Sequence, residues 1–212
     1  MVENRKNESQ PPKQRDWKKY FKILAIANGI VLLLLLLLIF LPAFSPAPEP
    51  PKEAQFDSSD SSEFTISSTK ANVNELINAY IDKELNDNSD NYAVVLGDDA
   101  VELSGGITAF GVRIPLQMTL EPQVQDNGDL LLVQRDISLG SLSLPNDKVL
   151  KYIDRYYKMP EWVTINPDEE SIYVAVTQME LENNFHVEVE QFDLPNDNLS
   201  FKLYIPNDTF GL

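Results

Sequence analysis

An α+β architecture is predicted for most of this chain: a long curved antiparallel sheet carrying two helices, preceded by an N-terminal transmembrane helix. Three observations carry that prediction. An uninterrupted apolar run fills residues 23–41. Two stretches beyond residue 63, near 69–85 and 146–157, repeat apolar residues at helical spacing. Elsewhere strand-like runs lie between turn-forming residues, and those at 112–120 and 199–205 repeat apolar residues with period two, the mark of antiparallel strands with one wet face.

The first element is the apolar run. From Ile23 to Leu41 it holds seven consecutive leucines and no charged residue. At about 1.5 Å per residue it extends ~28 Å as a helix, close to the ~30 Å hydrocarbon core of a bilayer. Such a helix pairs its backbone groups internally and can therefore span lipid. Ahead of it stand seven bases (Arg5, Lys6, Lys13, Arg15, Lys18, Lys19, Lys22) and three acids (Glu3, Glu8, Asp16). Of the chain's 17 bases and 33 acids, ten bases and thirty acids follow it. Lys and Arg beside a first span favour the cytoplasm, so residues 1–22 are expected to be a basic cytoplasmic tail and residues 42–212 to lie outside. Trp17, Tyr20 and Phe21 fall where an interfacial aromatic belt is expected. The expected location is the cell membrane, single-pass, in type II topology. A cleaved secretory signal is the competing reading. The run is longer than the usual ~7–15-residue signal core. Ala43 with Ser45, followed by Pro46, makes a poor cleavage site.

Residues 42–63 read as a disordered linker. Pro42, Pro46, Pro48, Pro50 and Pro51 give way to serines interleaved with Asp57, Asp60 and Glu63, with too little apolar surface to offset ordering entropy. The outer domain is expected over 64–212. Its first helix, 69–85, sets Val73, Leu76, Ile77, Tyr80 and Ile81 on one face, with Lys70, Asn74 and Lys83 off it. Ser68 or Thr69 can cap its start. Strands follow at 92–96, 101–110 and 112–120, the last with Val112, Ile114, Leu116, Met118 and Leu120 on one face. Pro115 pushes that strand toward an edge or a bulge. Asn127-Gly128 turns the chain into a strand over 130–139. The second helix, 146–157, presents Val149, Leu150, Ile153, Tyr156 and Tyr157. Strands at 171–181, 185–192 and 199–205 complete the domain.

The chemical inventory is thin. There is no cysteine, hence no disulfide framework, thiolate nucleophile or lipoprotein signal. The single histidine, His186, sits in a strand pattern and reads as a sheet residue before a general base. No nucleophile elbow, phosphate-cradling glycine loop or metal-binding histidine pair is present. Asp126 to Asp129 starts like a calcium loop, but Leu130 to Val133 occupy the positions where further ligands are required. No catalytic residue, metal ligand or cofactor is therefore expected, and the acidic outer domain argues against nucleic acid as a partner. One arrangement stands out. Lys148, Lys151, Arg155 and Lys158 recur at spacings of a helix face and form a basic stripe. They are either a solvated face or a contact for anionic headgroups at a membrane surface.

Four blocks carry a resemblance. They are the segments 106–116 (Gly-Ile-Thr-Ala-Phe-Gly-Val-Arg-Ile-Pro-Leu), 127–132 (Asn-Gly-Asp-Leu-Leu-Leu), 144–153 (Leu-Pro-Asn-Asp-Lys-Val-Leu-Lys-Tyr-Ile) and 160–167 (Pro-Glu-Trp-Val-Thr-Ile-Asn-Pro). With them the chain resembles the YpmS family, single-span envelope proteins of low-GC Gram-positive bacteria. The resemblance implies a short basic cytoplasmic tail and an outer domain, and it brings no catalytic residues. A looser similarity is to tubular lipid-binding (TULIP-like) domains, whose curved sheet wraps a helix. That similarity implies an apolar groove bordered by Val149, Ile153 and Tyr156; an ordinary closed core needs the same residues. The leading expectation is a non-enzymatic, membrane-anchored envelope protein binding a lipid or other apolar ligand. The second is a scaffold for an envelope protein partner, and the third a hydrolase with an unrecognised carboxylate site.

Overall fold

The structure, a computed structural model, describes residues 17–40, 60–84, 92–109, 111–141, 144–179, 181 and 184–210, with backbone alone at 35–40, 84, 109 and 210. It divides into two compact units, Met1–Pro46 and Ala47–Leu212.

In the first unit, α1 (Trp17–Phe40) is a helix of 24 residues. Among the described residues no helix is long and apolar enough to cross a membrane. Side chains of α1 are described as far as Leu34, and that stretch includes Lys18, Lys19 and Lys22. The charge-free sequence of the run continues through 35–41, beyond them.

The second unit is α+β, with two antiparallel sheets instead of one long one. Its elements are β1 (Ser61–Ser68), α2 (Lys70–Glu84), β2 (Ala93–Leu96), β3 (Val101–Ala109), β4 (Val112–Val124), β5 (Leu130–Leu139), α3 (Asn146–Tyr156), β6 (Val163–Asn166), β7 (Ser171–Val174), β8 (His186–Asp193) and β9 (Asn198–Pro206). A three-stranded sheet has the order β1-β9-β8, and a six-stranded sheet the order β2-β3-β4-β5-β7-β6. The first strand opens at Ser61, inside the stretch expected to be linker; the rest of that linker, 42–59, lies outside the described residues. β1 pairs with β9 from Ser61↔Pro206 to Ser68↔Leu199. The strand expected over 171–181 stops at Val174, where Ala175 donates its N–H to Trp162 O at 2.8 Å and a 3-10 turn begins.

The period-two pattern of β4 buries Leu116, Met118 and Leu120 on one face. This strand lies between β3 and β5, so Pro115 is in neither an edge strand nor a bulge. Its carbonyl accepts the N–H of Gly140 at 2.8 Å, just past the end of β5. A residue's N–H and C=O point to the same side of a strand, so the donor that proline lacks falls where β5 offers no ladder partner. The Asn127-Gly128 hairpin forms as expected, with Gly128 at φ +83°. Its carbonyl accepts the Val189 N–H at 2.8 Å and so joins the hairpin to β8 of the other sheet.

Helix α2 does two jobs. Val73, Ile77 and Ile81 face the core. Asn74 and Asn78, one turn apart, hydrogen-bond the outer edge of β2. Asn78 Nδ2 donates to Val94 O at 2.7 Å while its Oδ1 accepts the Val94 N–H at 2.9 Å. Asn74 Oδ1 accepts the Leu96 N–H at 3.0 Å. Of the face that apolar spacing marked, Leu76 is left 71% exposed. Helix α3 follows its pattern more closely, burying Val149, Leu150 and Ile153.

Candidate functional site

A cavity of about 300 Å³ lies over one face of the six-stranded sheet. Leu103 and Ile107 of β3, Leu116, Met118 and Leu120 of β4, Leu132 of β5, and Ile172 and Val174 of β7 form its floor. Alternation puts these residues on one face, which explains why a strand pattern yields a continuous apolar surface. Ile77, Tyr80 and Ile81 of α2 wall one side, and Leu150 and Ile153 of α3 another. The segment from Tyr157 to Val163 completes it, with Trp162 packed against Tyr80 at a centroid distance of 5.5 Å. Within this lining the polar groups are three tyrosine hydroxyls, the Trp162 indole N–H and the Lys158 ammonium. Lys158 is exposed and still contributes to the lining, so it marks the open rim.

Tyrosines close the wall beside β3. β2 covers β3 only over Val101 to Ser104. Beyond that, Tyr92 donates its hydroxyl to Gly106 O at 3.1 Å, Tyr152 donates to Thr108 O at 2.8 Å, and Tyr157 accepts the Thr108 N–H at 2.7 Å. Gly105 of β3 permits the approach of Tyr92, because a Cβ there would overlap its ring.

The structure distributes the sequence-predicted groove residues unequally. Ile153 lines the cavity. Val149 is buried in the core and is not part of the lining. Tyr156 is 65% exposed, its ring against Tyr152 at 4.6 Å, and its place in the wall is taken by Tyr157. The basic stripe is divided as well. Lys148 pairs with Asp147 at 3.1 Å, and Lys151 with Asp168 at 2.7 Å; that hydrogen bond raises the Lys151 pKa. Arg155 is exposed in the last turn of α3. Lys158 is not on the helix, because Tyr157 turns to an extended conformation at φ −114°, ψ 133°.

Over residues 15–205 the chain matches the family described as "Uncharacterized protein conserved in bacteria (DUF2140)". It is 33% identical over 197 residues to the "Uncharacterized protein YpmS" of Bacillus subtilis (strain 168), covering 90% of this chain and 97% of that one. The chain belongs to the YpmS family. No solved structure matches it. The stretch shared with the YpmS family contains every residue of the cavity lining, and the Pro160 to Pro167 block that carried the resemblance supplies Pro160, Trp162, Val163 and Ile165 to it.

Elsewhere in this YpmS-family chain, polar clusters serve the architecture. Asp129 is buried and accepts hydrogen bonds from Tyr173 Oη at 2.5 Å, Asn127 Nδ2 at 3.0 Å and the Thr177 N–H at 2.9 Å, tying the β4–β5 hairpin to β7 and the turn beyond. His186 is buried in β8, 3.4 Å from Glu188, which accepts the Tyr204 hydroxyl at 3.2 Å. Burial, followed by the charges of Glu188 and Glu63, pushes the Tyr204 pKa up to about 12. Among the described residues no group of three or more His, Asp or Glu is arranged to hold a metal ion. Gln134 is buried with neither side-chain polar atom hydrogen-bonded. It stands opposite Leu120, next along the same face of β5 from Leu132.

The sequence reading missed Asn74, Asn78, Tyr80, Tyr92, Tyr157 and Trp162 as site-building residues. The two asparagines did carry a signal: polar residues one helical turn apart, each adjoining an apolar core position.

Proposed function

We propose that this chain is a non-enzymatic envelope protein, anchored by its N-terminal helix, whose outer unit binds a lipid or other apolar ligand in the cavity on the six-stranded sheet. The cavity carries the proposal. A space of about 300 Å³ with an almost wholly apolar lining and one cation at its rim suits an amphiphile. Anchoring is supported by the charge-free sequence of residues 23–41, the 24-residue helical backbone of α1 and the basic residues ahead of it. Its expected topology leaves the outer unit within reach of membrane lipid.

The test is photo-crosslinking of the full chain in bilayers doped with a diazirine-bearing fatty acid, followed by peptide mapping. Crosslinks to strands β3 to β5 and to Trp162 are expected alongside those to the anchor. Crosslinks confined to residues 23–41 would overturn ligand binding by the outer unit and leave anchoring intact.

A second reading, a scaffold for an envelope protein partner, has its own support. Phe64 and Ile66 are 46% and 45% exposed on β1, an outer strand of the three-stranded sheet. Backbone groups along such an edge can pair with a partner's strand. Site-specific crosslinkers at Phe64 and Ile66 that capture one defined protein in cells would favour this reading.

A further inference from the structure

The shape and charge of the cavity narrow the ligand, on the reading that the cavity is a binding site. We infer that it takes one unbranched acyl chain of about ten carbons whose anionic head is met at the rim by Lys158.

Volume limits the chain. A methylene occupies about as much space as a water molecule, ~30 Å³. The 300 Å³ cavity therefore matches one chain of about ten carbons. Charge selects the head. Residues beyond the anchor are strongly acidic, with thirty acids against ten bases, and their summed field repels anions. Against that background the rim carries a cation, Lys158. Lys148 and Lys151 are engaged by Asp147 and Asp168, whereas Lys158 and Arg155 are exposed and pair with no acid among the described residues. An ammonium at the mouth of an apolar space with no buried charge complements a carboxylate or phosphate on a hydrocarbon tail. The same chemistry has two sources, a free fatty acid or one chain of a membrane lipid.

The molecule contains its own reporter. Only two tryptophans are present, Trp17 in α1 and Trp162 in the cavity wall, so Trp17→Phe leaves Trp162 as the sole signal. Full-length W17F protein in bilayers of unbrominated lipid is titrated with ω-bromo fatty acids, whose bromine quenches tryptophan on contact. Two further probes of equal length carry a neutral alcohol or a trimethylammonium head. A separate arm uses bilayers of phosphatidylglycerol brominated on its acyl chains, with no free acid.

Quenching by the carboxylate is expected to strengthen with chain length up to about ten to twelve carbons and then level off. Partition into lipid would instead continue to gain about fourfold per methylene. Lys158→Glu should weaken carboxylate binding at least about fivefold and leave the alcohol unchanged. Quenching in the brominated bilayer alone would assign the chain to a membrane lipid, and quenching by added acid alone to a free one; either outcome supports the proposed chemistry. Equal binding of carboxylate and trimethylammonium probes, or no effect of Lys158→Glu, would overturn the anionic head. Continued gain through sixteen carbons would overturn the single short chain. Failure of every probe and of the brominated lipid to quench Trp162 would overturn the binding reading itself.

Discussion

Replacing Asn78 by alanine removes more than a surface amide. Its side chain stands in for a neighbouring strand, giving and receiving a hydrogen bond with the same residue, Val94, at 2.7 and 2.9 Å. Both bonds are partly buried under α2, so water cannot fully replace them. A net contribution of about 1 kcal/mol per bond, rising to 1–3 kcal/mol for a group left unsatisfied, puts the cost of Asn78→Ala near 2–3 kcal/mol. Asn78→Asp should fall between, because it keeps an acceptor for the Val94 N–H and loses the donor to Val94 O. Leu76→Ala on the same helix is the control: at 71% exposure it should change stability by under about 0.5 kcal/mol. Urea denaturation of the full chain measures the ranking, and hydrogen exchange at the Val94 amide locates it. If Asn78→Ala matched Leu76→Ala, or Val94 exchanged no faster, the asparagine edge cap would be energetically idle and the reasoning refuted.

Other consequences can be measured in the same way. Gly128→Ala should cost about 2–4 kcal/mol, since a Cβ there combines positive-φ strain with an approach to Glu188 Cβ of 2.7 Å; a shift in denaturation midpoint worth less than 1 kcal/mol would contradict this. Gln134→Leu should raise stability by about 1–3 kcal/mol by removing a buried amide with no partner, and a loss of stability would show that the amide has a role the fold requires. Tyr204 titrates near pH 10 when unfolded and at about 12 when folded. The folded state therefore holds the proton more tightly, so the stabilisation is complete below pH 10 and is lost as pH rises from 10 to 12. Tyr204→Phe should flatten the stability profile in that window, and an unchanged slope would assign it to other groups.

Legibility in the sequence followed the physical source of each element. Strand β4, the β5 limits and the buried face of α3 were readable because burial of one face imposes the pattern directly. β1 was not, since it is held by backbone pairing to β9 along its whole length while Phe64 and Ile66 stay half exposed. Ser61 and Ser62, with Glu63, therefore looked like the end of the linker. β6 was missed because its four residues hold only two apolar side chains, whereas β2, equally short, shows as a dense apolar run. α2 was found with Val73, Ile77, Tyr80 and Ile81 inward as read, but Leu76 is exposed because the helix docks with the Asn74 and Asn78 amides as well as apolar area. In the site, Ile153 was legible from periodicity. Tyr156 and Tyr157 were both on the predicted face, but only Tyr157 reaches the wall: the helix ends between them, and apolar spacing does not fix a terminus to one residue.

The tyrosine hydroxyls along β3 have a consequence for behaviour at high local concentration. Exposed strand edges invite sheet-to-sheet addition between copies. Here the half of β3 that β2 leaves bare has its Gly106 and Thr108 groups already occupied by Tyr92, Tyr152 and Tyr157. A neighbouring copy would have to displace three packed rings before its first backbone hydrogen bond could form there. Crowded copies are thus kept from templating one another at this edge by side chains that also build the cavity wall, so a substitution chosen to widen that wall would also bare an edge for aggregation.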